Sequence, residues 1–132
     1  MTESLFDLDL GDRLIAVTDY CVRPAKQVEL LPTVGGTKNP DVERIIGLQP
    51  DLVLMNDEEN RRADAEALEA ARIAIWVTGP RTVFDALNLL WTIMHVFDHT
   101  VMVPRVREIE RAYDYSMGAS KALEPVRVFA PI

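Results

Sequence analysis

A single cysteine, Cys21, stands in this chain of 132 residues. No intrachain disulfide can therefore form, and cysteine usage does not identify the redox compartment. Basic runs are missing as well. The Lys and Arg residues are scattered and never interleaved with aromatics, and with a formal net charge of −7 this argues against a nucleic-acid partner. Long apolar runs are missing too: residues 87–97 are interrupted by Asn88 and His95 and are too short to cross a bilayer. Residues 1–10 are acidic rather than basic then apolar, so neither a signal peptide nor a membrane anchor is expected. The chain also lacks a Ser/His/Asp or Cys/His arrangement and a glycine loop of the GxxxxGK type, so no catalytic activity and no cofactor are expected. With 48% hydrophobic and 27% charged residues, there is material for one globular core.

The most informative stretch runs from Val34 to Asn56. Val34-Gly35-Gly36 ends an extended segment where the backbone can approach a ligand without a Cβ in the way. Asn39-Pro40 supplies an N-cap followed by proline at the first helical position, so a helix is expected to about Leu48, with Pro50 stopping it. Residues 51–56 then form a short apolar run of the kind buried on both faces of a parallel sheet.

Extended and helical candidates alternate along the rest of the chain. A strand is expected over 13–18, a helical patch over 25–31, an extended piece over 33–36, a helix over 58–71 and a strand over 73–78. Thr82 and Asp85 have capping-box spacing at the start of a further helix, with Asp in place of the usual Glu or Gln. That helix is apolar nearly all round, from Val83 and Phe84 to Val96 and Phe97, and is expected to be largely buried. A polar helix over 104–123, about 30 Å long at 1.5 Å per residue, carries Val106, Ile109, Tyr113 and Met117 on one side. Pro125 ends it, and residues 126–132 start another strand. The alternation predicts an α/β fold: a parallel sheet with right-handed crossovers and helices on both faces.

In such sheets ligands bind beyond the carboxyl ends of the strands, which selects the loops 18–21, 35–38, 56–59 and 78–81. Tyr20 can stack on a flat ligand, and Lys38 and Arg81 can pair with its carboxylates or phosphates. Other constellations are weaker. His95 and His99 sit four residues apart, a spacing that suits zinc, but further ligands are not evident and histidines near a helix end also complement its dipole, so no metal site is expected. Asp57, Glu58 and Glu59 are expected to serve the first turn of a helix rather than acid/base chemistry. Residues 51–56 are similar to the phosphoacceptor strand of receiver domains, yet Asn56 holds the acceptor place and no acidic pair follows the 13–18 strand.

Four segments taken together, 19–24, 31–45, 49–56 and 59–62, resemble the amino-terminal lobe of the cobalamin and iron-siderophore type substrate-binding proteins of ABC importers, the helical-backbone metal receptors. The similarity covers roughly residues 2–132. It implies one α/β lobe over 1–98, a long linking helix over 99–125 and, over 126–132, the first strand of a second lobe that is absent. It implies a non-catalytic protein, periplasmic or membrane-associated, that holds cobalamin, a ferric siderophore or haem in a cleft and delivers it to a membrane permease. The cleft segments of that family coincide with the four loops, so Tyr20, Cys21, Gly35, Gly36, Thr37, Lys38, Asn56, Glu59 and Arg81 are the expected ligand-binding positions. Glu43 falls on the family's permease-docking motif and is expected to be exposed.

The resemblance also implies a first strand ahead of residue 2 that this chain lacks, and an empty strand position in a sheet would strand backbone donors and acceptors. Residues 127–132 have the apolar, proline-containing character of such a strand. Exchange of this tail between two chains is therefore expected, making a homodimer. The alternative reading is a self-associating structural module that has lost transport.

Overall fold

The computed structural model describes residues 1–124, 126 and 127. Its centre is a parallel pair, β1 (Leu52–Asn56) and β2 (Ala74–Thr78), in the register Leu52↔Ala74 to Asn56↔Thr78. Between them runs α4 (Arg62–Ala70), the crossover that a parallel connection requires. Successive side chains of a strand point to opposite faces. Leu54 and Trp76 accordingly pack on one side with α1 (Thr2–Asp7), α5 (Val83–Val96) and α6 (Val103–Ser120), around Leu5, Ile93, Met94 and Val106. Val53, Met55 and Ile75 pack on the other with Leu68 of α4 and Ile45 of α3 (Val42–Leu48). The expected α/β layering, with helices on both faces, is what the chain forms.

The sheet itself is smaller than expected. Residues 13–18 and 33–36 are not strands; they form a single parallel bridge, Val17↔Thr33, held by the Val17 N–H to Pro32 O and the Val34 N–H to Val17 O. Gly11–Arg13 is a turn of 3-10 helix instead. The helical patch after Pro24 is confined to α2 (Ala25–Val28).

Helix starts also moved, for reasons visible in the hydrogen bonds. Pro40 is occupied in an antiparallel bridge with Gly35, and the Asp41 N–H donates to Val34 O, so the Asn39-Pro40 start is unavailable. Asp41 is the N-cap, its carboxylate accepting from the Arg44 N–H at 2.9 Å. Helix α4 starts at Arg62 rather than near Glu58 because Asn56 and Asn60 fold the intervening residues into a turn. The Asn56 N–H donates to Asn60 Oδ1, the Glu58 N–H to Asn56 Oδ1, and the Asn60 N–H to Asn56 O.

Helix α5 begins as expected. Thr82 Oγ1 accepts from the Asp85 N–H, and the Asp85 carboxylate accepts from the Thr82 N–H, a complete capping box. Its expected burial is only partial: Leu87, Ile93 and Met94 are buried, but Val83, Phe84 and Val96 are exposed. Only one of the two core layers packs against this helix, and nothing among the described residues covers its exposed stripe. Helix α6 leaves the body in the same way. Val106 is buried and Trp91 donates to Glu110, but every described residue from Asp114 to Glu124 is exposed. The terminal strand expected over 126–132 lies largely outside the described residues.

The Thr82 side chain, with the Arg81 and Thr82 N–H groups, holds the Asp85 carboxyl below its ordinary pKa. A carboxyl depressed in the folded state adds stability above its unfolded pKa and loses it as pH falls through the depressed value. In thermal denaturation Asp85→Asn is therefore less stable than the parent at neutral pH, and the gap closes on acidification. A gap that widens on acidification contradicts this role.

Candidate functional site

Parallel pairing in this register places the carboxyl ends of β1 and β2 side by side, at Asn56 and Thr78. Thr78 is buried and its hydroxyl donates to Met55 O at 2.9 Å, which fixes the end of β2 against the end of β1. The loops that follow are joined at once: the Asp57 N–H donates to Thr78 O. Arg81 then reaches across, its guanidinium donating to Asp57 Oδ2 at 2.7 Å and to the Glu58 carboxylate. The loop closes this tightly because residue 79 is glycine: a Cβ there would lie 2.7 Å from Asp57 Oδ1. Asp57 and Glu58 thus do not serve the first turn of α4 but bind Arg81.

The other two loops join the same rim. Thr37 Oγ1 lies 3.4 Å from Glu59 Oε2, and Asn60 Nδ2 donates to Thr37 O at 2.9 Å. The Asp19 N–H donates to Gly35 O, and the Tyr20 ring lies over Gly36, where an added Cβ would come within 3.1 Å of Tyr Cε2. Gly35 has φ +81° and an added Cβ would lie 2.8 Å from Asn39 O, so the turn from Gly35 to Pro40 needs glycine at that position. Loops 18–21, 35–38, 56–60 and 78–81 therefore form one contiguous rim running from Tyr20 through Gly36, Thr37 and Glu59 to Arg81.

Within the rim the expected residues divide. Thr37, Glu59 and Arg81 are tied across loops, Asn56 is tied within its own loop to Glu58 and Asn60, and together they shape the rim. Tyr20, 73% exposed, and Lys38, exposed and in no ion pair among the described residues, are free to meet a ligand. Cys21 turns from the rim toward the amino end of α1: its thiol is 3.0 Å from Thr2 Oγ1 and 3.3 Å from Thr18 Oγ1. Burial pushes this thiol up, but the Thr18 and Thr2 hydroxyls, the Thr18 backbone and the amino terminus together hold its pKa below the ordinary value. Glu43 is exposed on α3 and makes no ion pair among the described residues. Asn60, Asp57, Glu58 and Gly79 are rim-building residues that sequence reasoning missed. An Asn four residues after a strand end was the available signal for the first.

The histidines part. His95 is exposed, and His99 Nε2 is 3.6 Å from Asp9 Oδ2, beyond hydrogen-bond reach. Among the described residues no three ligating side chains gather in one place. No helix among them is long and apolar enough to cross a membrane.

A parallel α/β unit with a polar rim at its strand ends defines the general class of lobe that binds small ligands beyond the strand termini. A family model described as periplasmic binding protein matches residues 1–94, and the chain belongs to that family. A vitamin B12-binding protein of Vibrio campbellii is 40% identical over 77 residues, covering 57% of this chain and 27% of the relative. One of Vibrio parahaemolyticus is 34% identical over 87 residues, covering 66% and 31%. The fold matches the periplasmic vitamin B12 binding protein BtuF of Vibrio cholerae with a TM-score of 0.84 at 21% identity, over 95% of this chain and 49% of that one. The periplasmic heme binding protein HutB of the same organism matches with a TM-score of 0.71 at 20% identity, over 96% and 48%. This chain thus spans about half the length of those two structures and less than a third of the two sequence relatives.

The Arg81 bridge is exposed, and exposed pairs contribute about 0–1 kcal/mol. Arg81→Ala is expected to leave global stability within about that margin while speeding amide exchange at Asp57 and Asn60. Loss of several kcal/mol in denaturant titration contradicts a role confined to the rim.

Proposed function

We propose that this chain supplies one wall of the ligand cleft of an ABC-importer substrate-binding protein for a metal chelate such as cobalamin, a ferric siderophore or haem. One observation carries the reading. All four rim loops, far apart in sequence, are hydrogen-bonded or packed into a single rim that leaves Tyr20 and Lys38 free. An exposed phenol ring suits the flat face of a macrocycle, and a free ammonium suits the propionates or phosphate of such ligands. The names of the vitamin B12-binding and heme-binding relatives support the same chemistry. Binding, not catalysis, is the proposed role, and the working compartment is the outer side of the cytoplasmic membrane. Glu43, on the exposed side of α3, is proposed to meet basic residues of the permease, and α6 to carry the chain away from the lobe as a linking helix.

One wall buries only part of a chelate, so binding energy falls with the area removed from water. In isothermal titration with cyanocobalamin, a ferric siderophore and haemin, the best ligand binds with Kd between about 1 μM and 1 mM. Tyr20→Ala weakens it about tenfold. Glu43→Lys leaves that affinity unchanged but reduces capture by an ABC permease in lipid nanodiscs. Submicromolar binding by the monomer contradicts the one-wall reading, and no binding of any ligand at about 1 mM contradicts the ligand reading.

A second reading, self-association as a homodimer, is favoured by the apolar residues left in solvent: Phe84 is 62% and Ile15 46% exposed, with Val83, Val96 and Ile109 also exposed.

A further inference from the structure

The rim loops 18–21, 35–38, 56–60 and 78–81 carry four carboxylates, Asp19, Asp57, Glu58 and Glu59, against two cations, Lys38 and Arg81, which leaves a formal charge of −2. All six residues are exposed. The two cations are not equivalent. Arg81 donates to Asp57 Oδ2 at 2.7 Å and to the Glu58 carboxylate, so its charge is spent inside the rim. An incoming anion reaches that guanidinium only by breaking both pairs and by approaching the two carboxylates that hold it. Lys38 makes no ion pair among the described residues, and neither do Asp19 and Glu59. Next to Lys38 in the chain, Thr37 Oγ1 lies 3.4 Å from Glu59 Oε2. The rim thus holds one available cation beside negative charge that nothing among the described residues neutralises.

We propose that this wall sorts chelates by their number of anionic groups: Lys38 takes up one, and the rim carboxylates repel each one beyond it. The proposal rests on the ligand reading above and adds a substrate class to it. The ligands favoured are flat chelates whose periphery is neutral apart from at most one anionic group. Those with two or more, such as haem with its two propionates or a polyanionic catecholate complex, are disfavoured. Peripheral amides and hydroxyls suit the rest of the rim, because ionised carboxylates only accept and an amide N–H or a hydroxyl can donate to them. A second carboxylate placed there meets like charge, and like-charge juxtaposition is an effective way for a surface to reject a wrong partner. Arg81 is the determinant that composition hides. Two cations in the rim loops suit a dianion, and the bridge to Asp57 and Glu58 withdraws one of them.

The test varies charge on one ring system. Cyanocobalamin carries a single phosphodiester, and hydrolysis of its peripheral propionamides gives mono- and dicarboxylate derivatives that differ only in the added carboxylates. In isothermal titration of the full chain at about 20 mM NaCl, affinity is expected to fall about threefold for the first added carboxylate and about tenfold for two. At about 500 mM NaCl, where screening shortens the reach of exposed charges to about 4 Å, the dicarboxylate penalty is expected to shrink below about threefold. Asp57→Asn with Glu58→Gln frees Arg81 and brings the rim from a formal −2 to neutrality, so the same narrowing is expected at low salt. The salt comparison uses the parent chain alone and stands even if the double variant fails to fold. Equal binding across the series, tighter binding of the dicarboxylate, or a preference for haemin over every corrinoid overturns the charge selection and leaves the ligand reading standing. A penalty that high salt does not reduce overturns it as well, since a lost amide hydrogen bond then accounts for the discrimination. Absence of binding to the whole corrinoid series at about 1 mM also overturns it, and the ligand reading falls with it unless haemin or a ferric siderophore binds in the same titration.

Discussion

The parallel pairing of β1 with β2 is the constraint on which the other features depend. Two strands that run the same way must be joined by a crossover, and α4 fills that role with Leu68 driven fully into the core. The same pairing sorts the side chains. Leu54 and Trp76 go to one layer, Val53 and Ile75 to the other, and the helices divide between the layers accordingly. It also sets Asn56 beside Thr78, so that the two following loops meet instead of emerging at opposite ends of the molecule.

The rim that results is built mainly from its own polar groups. Asn56 and Asn60 satisfy the turn after β1, Asn60 extends the tie to Thr37, and Arg81 bridges to Asp57 and Glu58. Interlocked bonds of this kind hold loop backbones in place ahead of any ligand, which lowers the ordering cost of binding. The consequence is a division of labour. The tied residues shape the surface, and Tyr20 and Lys38 are left exposed on it.

Where local chemistry decides structure, the residues announced it. The reciprocal bonds of Thr82 and Asp85 are legible from their spacing, the apolar runs at 52–56 and 74–78 from their composition, and the strand-end rule picked loops that do converge. Where tertiary contacts decide, the reading slipped. Residues 13–18 have strand composition, yet a strand needs a neighbour on its edge, and only Thr33 on one side supplies one. Pro40 looks like a helix start until Gly35 claims it in a turn. Arg81 looks like a free cation, because the carboxylates that bind it lie more than twenty residues earlier in the chain. Phe84 and Val96 look like core because apolar content alone cannot reveal that no layer packs over them.

The central claim is that the four rim loops form one ligand-binding surface, and mapping by two-dimensional amide NMR tests it most directly. On titration with cyanocobalamin, and with ferric haem as a paramagnetic probe, the largest perturbations are expected at residues 19–20, 35–38, 56–60 and 79–81, with the far ends of β1 and β2 unaffected. Perturbations centred on the outer face of α5, or spread without focus over the surface, would contradict it.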